Sequence, residues 1–271
     1  MSIRGGSRRV VTNLLVAFTA LTLLPACRVD IATTVNVAES GGGTISVVVT
    51  ADAAVVRGAP ELATSLSVDD LRTAGWDATL QNPTADGGLS LTLTRGFTKP
   101  DEANEYLAQL SGANGPLRDL RLSREGGFGA ATYAFSGTSG LPQGLAGFAD
   151  DEALATLGVA PFASTLSANN LSLTETLGVT LRVMMPGSPL GTSSGTITRN
   201  DEDLSTTFTW TIPVDGSSLD LAADTRNRNI SALLASLAAN GFLVLIVLLA
   251  IAFVAYCGSV IFRRSRSTPG S

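Results

Sequence analysis

The chain of 271 residues contains no histidine, only two cysteines, a single lysine (Lys99) and 15% charged residues. Without an imidazole, Ser-His-Asp and Cys-His catalysis and His-ligated zinc or haem cannot be built from this chain alone. One lysine among 18 basic residues leaves little room for a phosphate-loop or Schiff-base lysine. Excess positive charge is lacking too. With 23 acidic residues the net charge is −5, the opposite of the basic surface a nucleic-acid binder needs. No cofactor or metal-ligand set stands out. The length suffices for one large or two ordinary domains.

What is present concentrates first at the two ends. Arg4, Arg8 and Arg9 precede a mostly apolar stretch over residues 10–24, too short for a comfortable membrane span. Leu24-Pro25-Ala26-Cys27 follows, similar to the lipobox at which a bacterial lipoprotein is cleaved and its Cys acylated. Residues 1–26 therefore read as a signal peptide and Cys27 as the lipidated residue. Ser7-Arg8-Arg9 opens like a twin-arginine signal while Val10-Val11-Thr12-Asn13 departs from it, so both export routes stay open.

Residues 241–262 form 22 positions without a charge, long enough to cross the roughly 30 Å hydrocarbon layer as a helix. Arg263, Arg264 and Arg266 follow, and the positive-inside rule puts the tail 263–271 in the cytoplasm. Residues 225–240 read as a stalk and juxtamembrane segment. The expected topology is a single-pass protein of the cell membrane with residues 27–224 outside. Cys27 and Cys257 would then lie on opposite sides of the bilayer and could not pair, so the outer domain is built without a disulfide. The outer part, residues 27–229, carries 12 basic and all 23 acidic residues, a net of −11. Anionic headgroups would repel it, so lipid recognition would have to come from a pocket.

Between the ends the pattern is strand, Gly-rich turn, strand. Val29, Ile31, Val35 and Val37 alternate with polar residues. After Gly41-Gly42-Gly43, Ile45, Val47 and Val49 do the same. Further pairs are expected over 76–80 with 89–97, and 117–123 with 130–136. Helices are expected from Pro60 and Ser67 to Gly75, from Pro100 to Gly112, and over 141–158. The threefold recurrence is explained by ordinary hairpin chemistry as well as by duplication. From residue 170 only strands are expected, over 171–173, 179–185, 195–198, 204–214 and 219–221. Local hairpins favour antiparallel pairing. The class is α+β: antiparallel β-hairpins with packed helices, then a β-rich C-terminal block and one transmembrane helix.

The export signal and Cys27, Arg28-Val29-Asp30 opening a strand, Met185-Pro186-Gly187, Gly195, Thr209-Trp210-Thr211 and the terminal span occur in an order that resembles actinobacterial LppM-type lipoproteins. Where that pattern commonly has Asn before the Gly, this chain has Ser194. The resemblance implies a membrane-tethered α+β domain without an assigned activity and with no catalytic residue to carry over. It also implies envelope lipids or glycolipids as ligands.

Candidate chemistry is sparse. Gly191-Thr192-Ser193-Ser194-Gly195 spells a nucleophile elbow, but Pro186 and Pro189 precede it, a strand follows it, and no histidine exists downstream. Asp101/Glu102/Glu105 and Asp150/Asp151/Glu152 sit at expected helix starts, where acidic groups suit the dipole. Asp201/Glu202/Asp203 occupies a turn and lacks the Gly and distant Glu of an EF-hand. Trp76, Phe97, Tyr133, Phe135, Phe148, Phe208 and Trp210 fall on apolar faces, where they either fill a core or line an apolar pocket. The leading expectation is a non-enzymatic envelope lipoprotein binding a lipid, glycolipid or partner. A structural subunit paired with another membrane protein and a carboxylate-based glycan hydrolase are the alternatives.

Overall fold

The structure is a computed structural model, and it describes residues 28–58, 68–111, 114–127, 129–148, 172–191 and 193–228. The expected signal peptide, Cys27, the 150–152 acidic cluster, the expected span and the basic tail lie outside these residues. No helix among the described residues is long and apolar enough to cross a membrane.

Two sheets face each other. The larger contains seven strands in the order β3 (Asp77–Gln81), β4 (Leu89–Phe97), β2 (Gly43–Ala51), β1 (Val29–Val37), β7 (Leu177–Pro186), β10 (Ser205–Thr211) and β9 (Thr196–Asn200). The smaller contains four in the order β5 (Leu117–Gly127), β6 (Ala130–Gly140), β11 (Ser218–Arg228) and β8 (Ser188–Leu190). The alternating stretches β1 (Val29–Val37) and β2 (Gly43–Ala51) pair antiparallel from Val29 opposite Ala51 to Val37 opposite Gly43. One parity, including Val35, Val37, Ile45 and Val47, is buried. The other carries Thr34, Asn36, Thr44 and Ser46, as a sheet with one polar face requires. β4 (Leu89–Phe97) adds to β2 and turns Leu89, Leu91, Leu93 and Phe97 inward. β3 (Asp77–Gln81) closes that edge.

On its other side β1 meets β7 (Leu177–Pro186), and here the pairing is parallel, Val29 beside Leu177 and Asn36 beside Met184. This corrects the expectation of antiparallel pairing throughout. Alternation identifies a strand and its buried face but not a partner 148 residues away, and parallel neighbours need a long crossover. β10 (Ser205–Thr211) pairs antiparallel with β7 and is followed by the edge strand β9 (Thr196–Asn200).

The smaller sheet consists of β5 (Leu117–Gly127), β6 (Ala130–Gly140), β8 (Ser188–Leu190) and β11 (Ser218–Arg228). β11 is eleven residues long, where a three-residue strand and then a stalk from 225 were expected. Residues 225–228 are its last four, paired with β6, so the domain runs to Arg228. Thr225 is fully buried and donates its hydroxyl to the Pro186 carbonyl at 2.8 Å. An inward-facing threonine continues the Leu221, Ala223 face while looking polar in sequence.

Helices are few. Asp52 caps α1 (Ala53–Gly58), its carboxylate accepting from the Ala54 and Val55 N–H groups at 3.0 and 2.8 Å. The helix start expected at Pro60 lies in 59–67, outside the described residues, and α2 (Val68–Thr73) follows them. α3 (Pro100–Leu110) buries Ala103, Tyr106 and Leu107, one face at helical spacing. It bonds the edge of β5 through Asn104, whose amide accepts from Leu122 N–H at 2.7 Å and donates to Leu122 C=O at 3.0 Å. Of the expected 141–158 helix, residues 141–143 are non-helical, 144–148 form a 3₁₀ turn, and 149–158 lie outside the described residues. The strand expected at 171–173 is replaced by α4 (Leu173–Thr176), because Ser172 donates its N–H and hydroxyl to Glu175 in an S-x-x-E arrangement.

Candidate functional site

The inner faces of both sheets and of α3 join in one hydrophobic core. Its centre is aromatic. Trp210 stacks near Phe208 in the larger sheet, with ring centroids 6.0 Å apart, and meets Phe135 of the smaller sheet at 6.3 Å. Tyr133, Phe135, Phe208 and Trp210 are each 1% exposed, and Trp76 and Phe97 are 5% exposed. Phe148 departs from the group: at 42% exposure it sits on the surface at the end of the 3₁₀ turn. Helical spacing alone assigned it an inward face, whereas the 3₁₀ turn buries Gly147 instead.

The polar tips of these rings are satisfied locally. The Trp210 indole donates to the Ser194 hydroxyl at 3.0 Å, and that hydroxyl donates to the Asp220 carbonyl at 2.6 Å. Ser194 therefore links β10 to β11, while Ser193, at the nucleophile position of the elbow-like motif, accepts from the Gly195 N–H at 3.2 Å. Gly195 is required by the indole contact, since a Cβ there would lie 2.7 Å from the indole nitrogen. Arg95 lies over the Tyr106 ring at 3.7 Å and near Trp76 at 5.9 Å, and donates to the Ala74 carbonyl at 2.7 Å.

Pro186 and Gly187 form the corner at which the chain leaves the larger sheet for the smaller. Gly187 has φ +95°, its N–H donates to Leu204 C=O at 2.7 Å, and its C=O accepts from the buried Thr206 hydroxyl at 2.7 Å. The Met185-Pro186-Gly187 segment is thereby a structural hinge between layers.

In the two described acidic clusters, Glu102, Asp201 and Asp203 have local partners. Glu102 accepts from the Thr98 N–H at 2.7 Å and hydroxyl at 2.8 Å, and from the Tyr106 hydroxyl at 2.8 Å, at the start of α3. The Thr98 N–H first, then the Thr98 and Tyr106 hydroxyls, hold its carboxyl below the ordinary glutamate range. Asp203 is lowered by its bonds to Ser205, and Asp201 pairs with Arg199 at 3.0 Å. Among the described residues no three carboxylate or thiol groups gather as a metal site.

An open groove of about 290 Å³ lies apart from the seven aromatics, lined by Leu141, Pro142, Ser172, Leu173, Val214 and Asp215 among others. Sequence reasoning missed it, because its residues come from three turns that are far apart in the chain. Leu141 follows the end of β6, Leu173 precedes β7, and Val214 follows β10. All three turns lie at the end of the molecule where β1 begins, since Leu177 adjoins Val29 and Ile212 donates to Val179.

No family model matches the chain, and no curated protein does. Among solved structures, the NMR structure of the Mycobacterium tuberculosis LppM folded domain is similar at 10% identity and a TM-score of 0.37. The likeness covers 78% of this chain and 97% of that one. At that level it carries no statement about ligand or activity.

Proposed function

We propose that the chain is a non-enzymatic, membrane-anchored envelope lipoprotein whose outer domain holds an envelope lipid, a glycolipid or a partner at the cell surface. The acyl anchor is Cys27 and the second anchor is the span at 241–262, with the C-terminus cytoplasmic. The observation that carries the reading is the position of the groove. Leu141, Pro142, Leu173 and Val214 give it apolar walls. Those walls stand at the end of the domain where Arg28 directly follows Cys27, so an acylated Cys27 brings them to the lipid surface. Ser172 and Asp215 supply polar groups at the same mouth. The absence of histidine, together with capping and turn roles for the described acidic clusters, supports a binding rather than a catalytic role.

Native mass spectrometry of the full chain, purified in detergent with envelope lipid extract, tests this. Retained lipid is expected, and it should be lost in Leu173→Asp and Val214→Asp. Wild-type protein free of lipid would remove the reading.

A second reading, a structural subunit of an envelope complex, is favoured by one surface. β8 and β9 are the edge strands of their sheets and are joined by residues 191–195. Leu190, Ile197 and Leu204, 41%, 40% and 57% exposed, lie along or beside them. Open edges with exposed apolar side chains are where strands recruit partners. A stoichiometric crosslinked partner, lost in Ile197→Lys, would favour this reading over lipid uptake.

A further inference from the structure

We propose that the outer domain lies along the bilayer, with the axis of β1 in the membrane plane, and does not stand on one end. This rests on the double anchoring proposed above and adds to it an orientation. The structure separates the two attachment points. Arg28 sits at the start of β1, where its N–H donates to the Asp52 carboxylate at 2.9 Å and its C=O accepts from Asp52 N–H at 3.0 Å. Held on both sides, it leaves no slack between an acylated Cys27 and the sheet. The Arg28 end is therefore at the lipid surface in any pose.

The other attachment leaves from the opposite end. Asn227 donates to the Glu39 side chain at 2.9 Å, just beyond the end of β1, and Arg226 backs onto Gly187 after the end of β7. β1 and β7 run in the same direction. The exit at Arg228 thus lies a full β1 length from Arg28, about 26 Å at the usual rise per residue.

An upright domain would hold Arg228 that far above the bilayer, and residues 229–240 would have to cover the drop. As a helix those 12 residues reach only about 18 Å. Fully extended they reach about 40 Å, but only by drawing Ile230, Leu233, Leu234 and Leu237 through water. Lying down brings Arg228 to the surface and lets those side chains enter the interface directly. The long axis is then fixed by two tethers, and the groove mouth at the Arg28 end faces along the membrane.

Thr44 and Thr50 make the test. Both are exposed, on the same outward face of β2, near opposite ends of the strand. Six residues separate them by about 20 Å. Full-length chains carrying Cys257→Ser and either Thr44→Cys or Thr50→Cys are labelled with a fluorescent maleimide. They are then reconstituted in phosphatidylglycerol–phosphatidylethanolamine vesicles containing a headgroup-nitroxide lipid. Equal quenching at the two positions is expected. Strong quenching at position 50 with loss of quenching at position 44 would overturn the orientation. Intact mass of the same samples separates the two ideas: an unmodified Cys27 removes anchoring and orientation together, whereas an acylated Cys27 with unequal quenching removes the orientation alone.

Discussion

The Tyr133 hydroxyl donates to the Glu39 carbonyl at 2.6 Å, tying the smaller sheet to the β1–β2 turn across 94 residues of sequence. Arg124 reinforces the contact, its Nε donating to the same carbonyl at 3.2 Å while the guanidinium lies 5.7 Å from the Tyr133 ring. Removing only the phenol oxygen in Tyr133→Phe should cost about 1 kcal/mol, because Arg124 still serves the carbonyl. Tyr133→Phe with Arg124→Met should cost more than the two single changes combined, since the Glu39 carbonyl then has neither donor. Urea unfolding of the four proteins measures this, and simple additivity would contradict it.

The corner at Gly187 should tolerate no side chain without strain. A Cβ there would lie 2.3 Å from the Arg226 carbonyl oxygen, on backbone at φ +95°. Gly187→Ala is expected to destabilise by about 2–4 kcal/mol. Thr206→Val and Thr225→Val keep the shape but strand the Gly187 and Pro186 carbonyls that their hydroxyls serve. Each should cost about 1–3 kcal/mol. Denaturant midpoints at constant m-value give these numbers, and a neutral Thr225→Val would show that water replaces the hydroxyl.

Glu102 should titrate below the ordinary glutamate range, since its charged form accepts from the Thr98 N–H, the Thr98 hydroxyl and the Tyr106 hydroxyl. A folded-state pKa depressed in this way means that the unfolded chain binds the proton more readily. Its contribution to stability is complete above the ordinary glutamate value and is lost as pH falls through the folded value. The Tyr106 hydroxyl moves the other way, raised first by its bond to Glu102. Carboxyl-detected NMR titration should place Glu102 low, with Thr98→Val shifting it upward by removing one of the three donors. A midpoint at or above the ordinary value in the wild type would be inconsistent with these bonds.

The hairpin faces were legible because Val35, Ile45, Leu91 and Leu93 alternate with Thr and Ser, and a half-buried antiparallel sheet writes that period into the chain. Burial of Trp76, Phe97, Tyr133, Phe135, Phe208 and Trp210 was legible for the same reason. Whether those rings fill a core or surround a ligand was not, since both arrangements call for apolar side chains on the same face. The parallel β1–β7 contact leaves no local mark. Thr225 is buried yet polar in sequence, which is why β11 looked like a short strand and a stalk. Ser172 and Glu175 did carry a helix-start signal, outweighed by the strand-like residues on either side. The groove could not be read at all, because its walls come from three separate turns.

Ser194 adjoins the position that the spelling Gly191-Thr192-Ser193-Ser194-Gly195 gives to a nucleophile, which is Ser193. The Ser193 hydroxyl accepts from the Gly195 N–H at 3.2 Å, and the Ser194 hydroxyl is committed on both sides, accepting from Trp210 and donating to Asp220. The chain has no histidine to take a proton from either. Both serines should resist fluorophosphonate labelling in the folded protein. Ser194→Ala should leave the indole N–H without its acceptor at the edge of the core, costing about 1–2 kcal/mol and shifting Trp210 fluorescence as water reaches the ring. Ser194→Asn, whose side-chain carbonyl can accept from the indole, should recover most of that loss. Covalent labelling of Ser194, or a Ser194→Ala protein as stable as the wild type with unchanged Trp210 emission, would show that the serine is not holding the ring.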